Sequence, residues 1–167
     1  MREYVLLLPI LFIFHDMEEI IGFGRFFQKN PDIFERFPRV TAPYRNYSTA
    51  GMALAVYEEF IPFFGVSLLA YYYPGEVLNA LWYGLMVSLT VHFLIHIGQS
   101  VYIRKYIPSL ITSIICLPVS LVIIVKCMDF IEFDFPAMLC IIVGIIGMIV
   151  NLKFAHMLMH WYVKREE

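Results

Sequence analysis

Charge is scarce in this chain. Only 16% of its 167 residues are Asp, Glu, Lys or Arg, and 60% are hydrophobic; soluble domains carry roughly 25% charged residues. One small core cannot hide so much apolar surface from water, so the bilayer must be the solvent. Cysteine is scarce as well. Cys116, Cys127 and Cys140 are scattered, with no Cys-x-x-Cys pair, which argues against a disulfide framework and a thiolate metal site. No basic stripe is interleaved with aromatics, so nothing points to nucleic acid. The nucleophile elbow G-x-S-x-G, the phosphate loop G-x-x-x-x-G-K and the dinucleotide motif G-x-G-x-x-G are all missing. No internal repeat and no low-complexity segment is visible. The N-terminal run MREYVLLLPILFIF lacks a small-residue cleavage site, and we expect an uncleaved first span.

What is present is a series of apolar stretches, each near or above the ~20 residues that cross a bilayer. They lie at about 4–27, 49–73, 77–103, 107–127 and 135–163. The fold class expected is all-α: one polytopic membrane helix bundle of about five transmembrane helices in a single domain, 1–167. Pro74-Gly75 marks a turn, Arg104-Lys105 a headgroup boundary, and Met128–Asp134 an acidic loop. The connection 28–48 is the one substantial loop, and it carries Lys29, Arg36, Arg39 and Arg45. Within it, Asn30-Pro31-Asp32 resembles an N-cap followed by proline at the first helical position. That fits either a short helix with Ile33, Phe34 and Phe37 on one face, lying on the membrane surface, or an irregular basic loop. The basic loop, Arg104-Lys105 and Lys164-Arg165 fall on one side of the membrane. The positive-inside rule makes that side cytoplasmic, with the N-terminus outside and the C-terminus in the cytoplasm.

All five histidines sit in these apolar stretches. They read His15-x-x-Glu18-Glu19, His92-x-x-x-His96 and His156-x-x-x-His160, with Glu58-Glu59 in another span. Ionisable groups are expensive in hydrocarbon and persist there when paired or working. Residues three and four apart share a helix face, so each cluster projects together. Glu58 and Glu59 lie about 100° apart, so at most one can point at a shared centre. Counted from the cytoplasmic helix ends, each cluster lies about one to three turns deep, which is one layer of the bilayer. The fourth span contributes no ligand and reads as a packing wall. Imidazoles and carboxylates at this spacing form a metal-ligand set. The candidate ligands are His15, Glu18, Glu19, Glu58, Glu59, His92, His96, His156 and His160. They exceed the needs of one zinc, so two ions, or one with a supporting hydrogen-bond shell, are expected. Glu19 or Glu58 would serve as general base. Asp16 lies off the His15 face and would at most orient a histidine. Gln99 and Asn151 read as interhelical hydrogen-bonding groups. Gly22 would allow close approach of another helix.

The segment His15 to Glu19, in a first span with Glu58-Glu59 and His92/His96 downstream, resembles the HXXEE-motif family of small bacterial and archaeal membrane proteins. The resemblance implies metal binding or enzymatic activity at these residues and a prokaryotic cytoplasmic membrane, but names no reaction.

Three functions compete. An intramembrane metalloenzyme would hold zinc, iron or manganese and act on a lipid or other hydrophobic small molecule, by hydrolysis or by O₂-dependent oxidation. A divalent-metal or proton transporter would use the same cluster. It would need a path across the membrane that one layer of ligands and no inverted repeat do not provide, unless a homo-oligomer supplies it. An accessory protein would use the polar groups as helix glue, predicting no metal.

Overall fold

A computed structural model describes residues 1–45 and 47–166. Among these the chain is all-helical, with no strand. Helix α1 spans Leu7–Lys29, α2 Ile33–Arg36 and α3 Pro38–Thr41, followed by a 3-10 turn Ala42–Tyr44. Four long helices complete the bundle: α4 (Thr49–Tyr72), α5 (Glu76–Ile103), α6 (Leu110–Met128) and α7 (Phe135–Glu166). Helices α4 to α7 are each long and apolar enough to cross a bilayer. Helix α1 has 23 residues, but His15, Asp16, Glu18, Glu19 and Arg25 interrupt its apolar run. The outer surface agrees with a hydrocarbon solvent: Ile21, Ile61, Val101 and Phe135 are 78%, 69%, 72% and 76% exposed. In water such a surface would drive aggregation.

Helix α5 is the spine and packs on α4, α6 and α7, while α1 lies in the groove between α4 and α6. Its closest neighbour is α7. A Cβ on Gly144 would come within 2.6 Å of the Leu81 carbonyl oxygen, and one on Gly84 would collide with the backbone of Ile141. Small residues here let the two backbones touch, as is usual for helices associating in lipid. At the N-terminal end of the bundle Trp82 is fully buried and its indole N–H donates to the Val5 carbonyl at 2.8 Å. Leu8, Leu85, Met86 and Leu89 belong with it to the main buried core.

The connection after α1 holds a short helix, α2, as one of the sequence readings has it, but its cap and the partner of its apolar face differ. Asn30 does not cap a following helix; its side-chain amide donates back to the Phe26 carbonyl at 2.9 Å and so terminates α1. Ile33 is buried with Phe23, Phe26, Ile103 and Ile107. Phe34 packs on Phe27, with ring centroids 5.0 Å apart. The apolar face of this one-turn helix therefore covers the ends of α1 and α5 and is used up by the protein. The physical reason is the cluster of phenylalanines at the end of α1, which offers a nearer apolar partner than lipid. Ser48 caps α4 by accepting from the Gly51 N–H at 2.9 Å, and α4 continues through Pro62 without a break.

Candidate metal centre

Four donor atoms meet where α1 faces α5. His15 and Glu19 lie one turn apart on α1, and His92 and His96 one turn apart on α5. One ligand atom from each lies within 4.8 Å of all the others. The Nε2 of His96 stands 2.8 Å from His92 Nε2 and 3.0 Å from Glu19 Oε1. The Nε2 of His15 stands 3.8 Å from the same carboxylate oxygen. His15, Glu19 and His96 are 0%, 2% and 3% exposed, so water does not compete for them. Among the described residues neither His15 Nε2 nor Glu19 Oε1 has a hydrogen-bond partner. A ring nitrogen carries at most one proton, so the imidazoles cannot satisfy one another and the carboxylate together. Three imidazoles and a carboxylate with lone pairs turned to one point suit a single divalent cation, zinc or iron in type.

Glu18 is the residue that the structure reassigns. Its Oε2 accepts from the Thr112 backbone N–H at 2.8 Å and from the Thr112 hydroxyl at 2.6 Å, and its Oε1 accepts from the Tyr106 hydroxyl. Ser109, the residue before α6, has φ 107° and offers no side-chain cap. A carboxylate from α1 thus caps the N-terminus of α6, where the helix dipole favours negative charge. The same contact orients the centre. Because the Thr112 hydroxyl gives its proton to Glu18, its oxygen accepts from His15 Nδ1–H at 3.1 Å. That bond fixes the proton on Nδ1 and leaves His15 Nε2 as a lone pair facing the cluster. Glu18 therefore acts through Thr112 and His15 and does not reach the centre. Tyr106 pays electrostatically for its place beside Glu18: burial first, then the hydrogen bond and the charge of Glu18, push its phenol up to about 12.

The Glu58-Glu59 pair divides as the helical angle requires. Glu58 accepts from the Asn151 amide at 2.8 Å, toward α7. Glu59 is buried and lines a cavity of about 170 Å³ beside the four donors, together with Asp16, Glu19, His92, His96 and His156. Of the α7 pair, His156 reaches this cavity while His160 does not. The general base expected at Glu58 is thus turned away from the centre, and Glu59 holds the inward position. Sequence reasoning passes over Thr112 and Tyr44 and gives Asp16 at most the orienting of a histidine. Asp16 is 3% exposed on the cavity wall. Tyr44 closes that wall from the loop, edge-on to His156 with ring centroids 5.9 Å apart. Its phenol is pushed well up by burial and then by the charges of Glu19, Asp16 and Glu59. The one legible signal for Asp16 is its place three residues before Glu19.

The fold and the centre define a class: an all-helical bundle of membrane character with a buried His/Glu cluster between its first helix and its spine. A family model described as a protein of unknown function with HXXEE motif matches residues 6–123, and the chain belongs to this HXXEE family. The matched stretch contains all four donors, Glu18 and Thr112, and stops before α7 with His156 and His160. Comparison with curated proteins and with solved structures finds no match.

Proposed function

We propose that the chain is an integral membrane metal-dependent enzyme of a prokaryotic cytoplasmic membrane. In this reading α1 is a fifth span, the N-terminus is outside and the C-terminus cytoplasmic. The centre then lies in the cytoplasmic half of the bilayer. Its substrate is a lipid or another membrane-soluble molecule, because the donors sit below an apolar outer surface. The observation that carries the reading is the convergence of His15, Glu19, His92 and His96 within 4.8 Å. Residues 77 apart in the chain would not meet so by chance packing of apolar helices.

A bound divalent cation supplies Lewis acidity for activating water or, if redox-active, the means to activate O₂. The residues do the rest. Thr112 and Glu18 hold His15 in one tautomer, and the apolar rings of Phe12 and Phe93 exclude bulk water. Phe93 stands edge-on to His15 with centroids 4.9 Å apart. Glu59, inward and without a hydrogen bond among the described residues, adds a further carboxylate beside the four donors. The excess of donors over one cation supports two ions.

Transport is the weaker reading. Beyond the cluster, the buried residues toward Trp82 are apolar or carry only hydroxyls and thiols, as at Ser67, Thr90 and Cys127. Among the described residues no buried Asp, Glu, His, Lys or Arg continues a path toward that end.

Elemental analysis of the purified, detergent-solubilised chain tests the proposal. Wild type is expected to retain at least one equivalent of zinc, iron or manganese, and His92→Ala/His96→Ala to lose it. A wild type that binds none of these ions after reconstitution would leave only the structural polar core.

A further inference from the structure

Three carboxylates share one cavity without a countercharge. Asp16, Glu19 and Glu59 are 3%, 2% and 6% exposed, and all three line the 170 Å³ space beside the histidine cluster. Among the described residues no lysine or arginine lines that space. Among the described residues Asp16 and Glu59 have neither a hydrogen bond nor an ion pair, and Asp16 Oδ2 is fully buried without a partner. Three buried like charges cannot stand unneutralised. Protons alone are a poor solution. A protonated carboxyl still needs an acceptor for its O–H, and these side chains do not bond to one another. A cation answers both needs, because it neutralises the charge and satisfies the lone pairs at once.

We propose that Asp16 and Glu59 hold a second divalent cation, with Glu19 bridging it to the cation of the histidine set. This rests on the metal-centre reading above and adds to it the location and character of the second ion. Asp16 and Glu19 are three residues apart on α1 and share a face. Glu59 reaches the same space from α4, and His156 is the one neutral donor that α7 brings to it. A carboxylate has two oxygens and can join two cations roughly 3.5–4 Å apart, a common spacing in two-metal sites. The two halves differ in chemistry. The half with three imidazoles accepts zinc or iron, whereas the carboxylate half selects a hard, oxygen-seeking ion such as manganese(II) or iron(II). The centre is therefore asymmetric: one imidazole-rich half and one carboxylate half.

Manganese(II) titration of the chelator-stripped full chain in detergent, followed by electron paramagnetic resonance, decides this. Wild type is expected to bind two equivalents and show an exchange-coupled multiline signal. Asp16→Asn and, separately, Glu59→Gln should bind one equivalent and show an isolated six-line signal. His92→Ala/His96→Ala should lose the histidine-side ion. Either isosteric variant removes a buried charge, so its metal-free form is expected to melt at the same temperature as wild type or higher, which excludes misfolding as the cause. One equivalent in wild type, unchanged by Asp16→Asn, would overturn the second site and leave the first intact. Two equivalents retained in both variants would overturn the assignment to these residues. A wild type that binds no manganese would overturn this inference, and one that binds neither zinc nor iron as well would overturn the metal reading itself.

Discussion

At the residue scale, the most consequential contact is the relay from Glu18 through Thr112 to His15. It joins the cap of α6 to the orientation of a ligand, so one hydroxyl serves both stability and metal affinity. Thr112→Val keeps the shape and removes the hydroxyl. We expect metal affinity to fall about 10- to 100-fold, the usual effect of losing a group that orients a ligating histidine. Competition against a chromogenic chelator measures it, and Thr112→Ser should recover most of the loss. An unchanged affinity in the valine variant would show that His15 keeps its tautomer without the relay.

At the scale of elements, glycine placement sets how closely the helices approach. Gly84 and Gly144 face each other across α5 and α7, where an added Cβ would meet backbone. Backbone cannot step aside as a side chain can. Gly84→Ala or Gly144→Ala should therefore destabilise by about 1–3 kcal/mol, the range for overpacking. Gly98 and Gly147 have open space at their Cβ positions, so their alanine variants serve as controls and should unfold at or above the wild-type temperature. Thermal unfolding in detergent separates the two pairs. Gly22 belongs to the same scale. A Cβ there would lie 2.5 Å from Pro108 Cβ, so this glycine admits the turn between α5 and α6 and not another helix. That close approach is what brings Tyr106 and Thr112 within reach of Glu18.

At the scale of the whole molecule, the bundle is apolar outside, and its buried carboxylates and histidines gather around α1. Fusion reporters check the proposed orientation. A C-terminal green fluorescent protein should fluoresce in the cytoplasm, and an N-terminal phosphatase carried across the membrane should be active. The reverse pattern would move the centre to the outer half of the bilayer and change which side delivers the substrate.

The sequence by itself determined the helical architecture and the ends of its elements. A hydrophobic run of bilayer length stops where the chain first meets Pro74-Gly75 or Arg104-Lys105, and both signals are local. It also determined that His15, Glu19, His92 and His96 project in pairs, since the 3.6-residue period alone does that. Only the tertiary structure decided which of Glu58 and Glu59 turns inward, because that depends on how α4 is rotated against α1 and α7. It decided too that Glu18 leaves the centre for the N-terminus of α6. Asp16 joins it although it lies about 100° from His15 on the helical wheel. Helix α1 touches α4 on one side and α6 on the other, with α5 across the centre, so two of its faces are inner faces. Periodicity assigns a helix one polar stripe, and only packing reveals that Asp16 lines the cavity with Phe12 and Glu19 while His15 turns to the histidine set beside it.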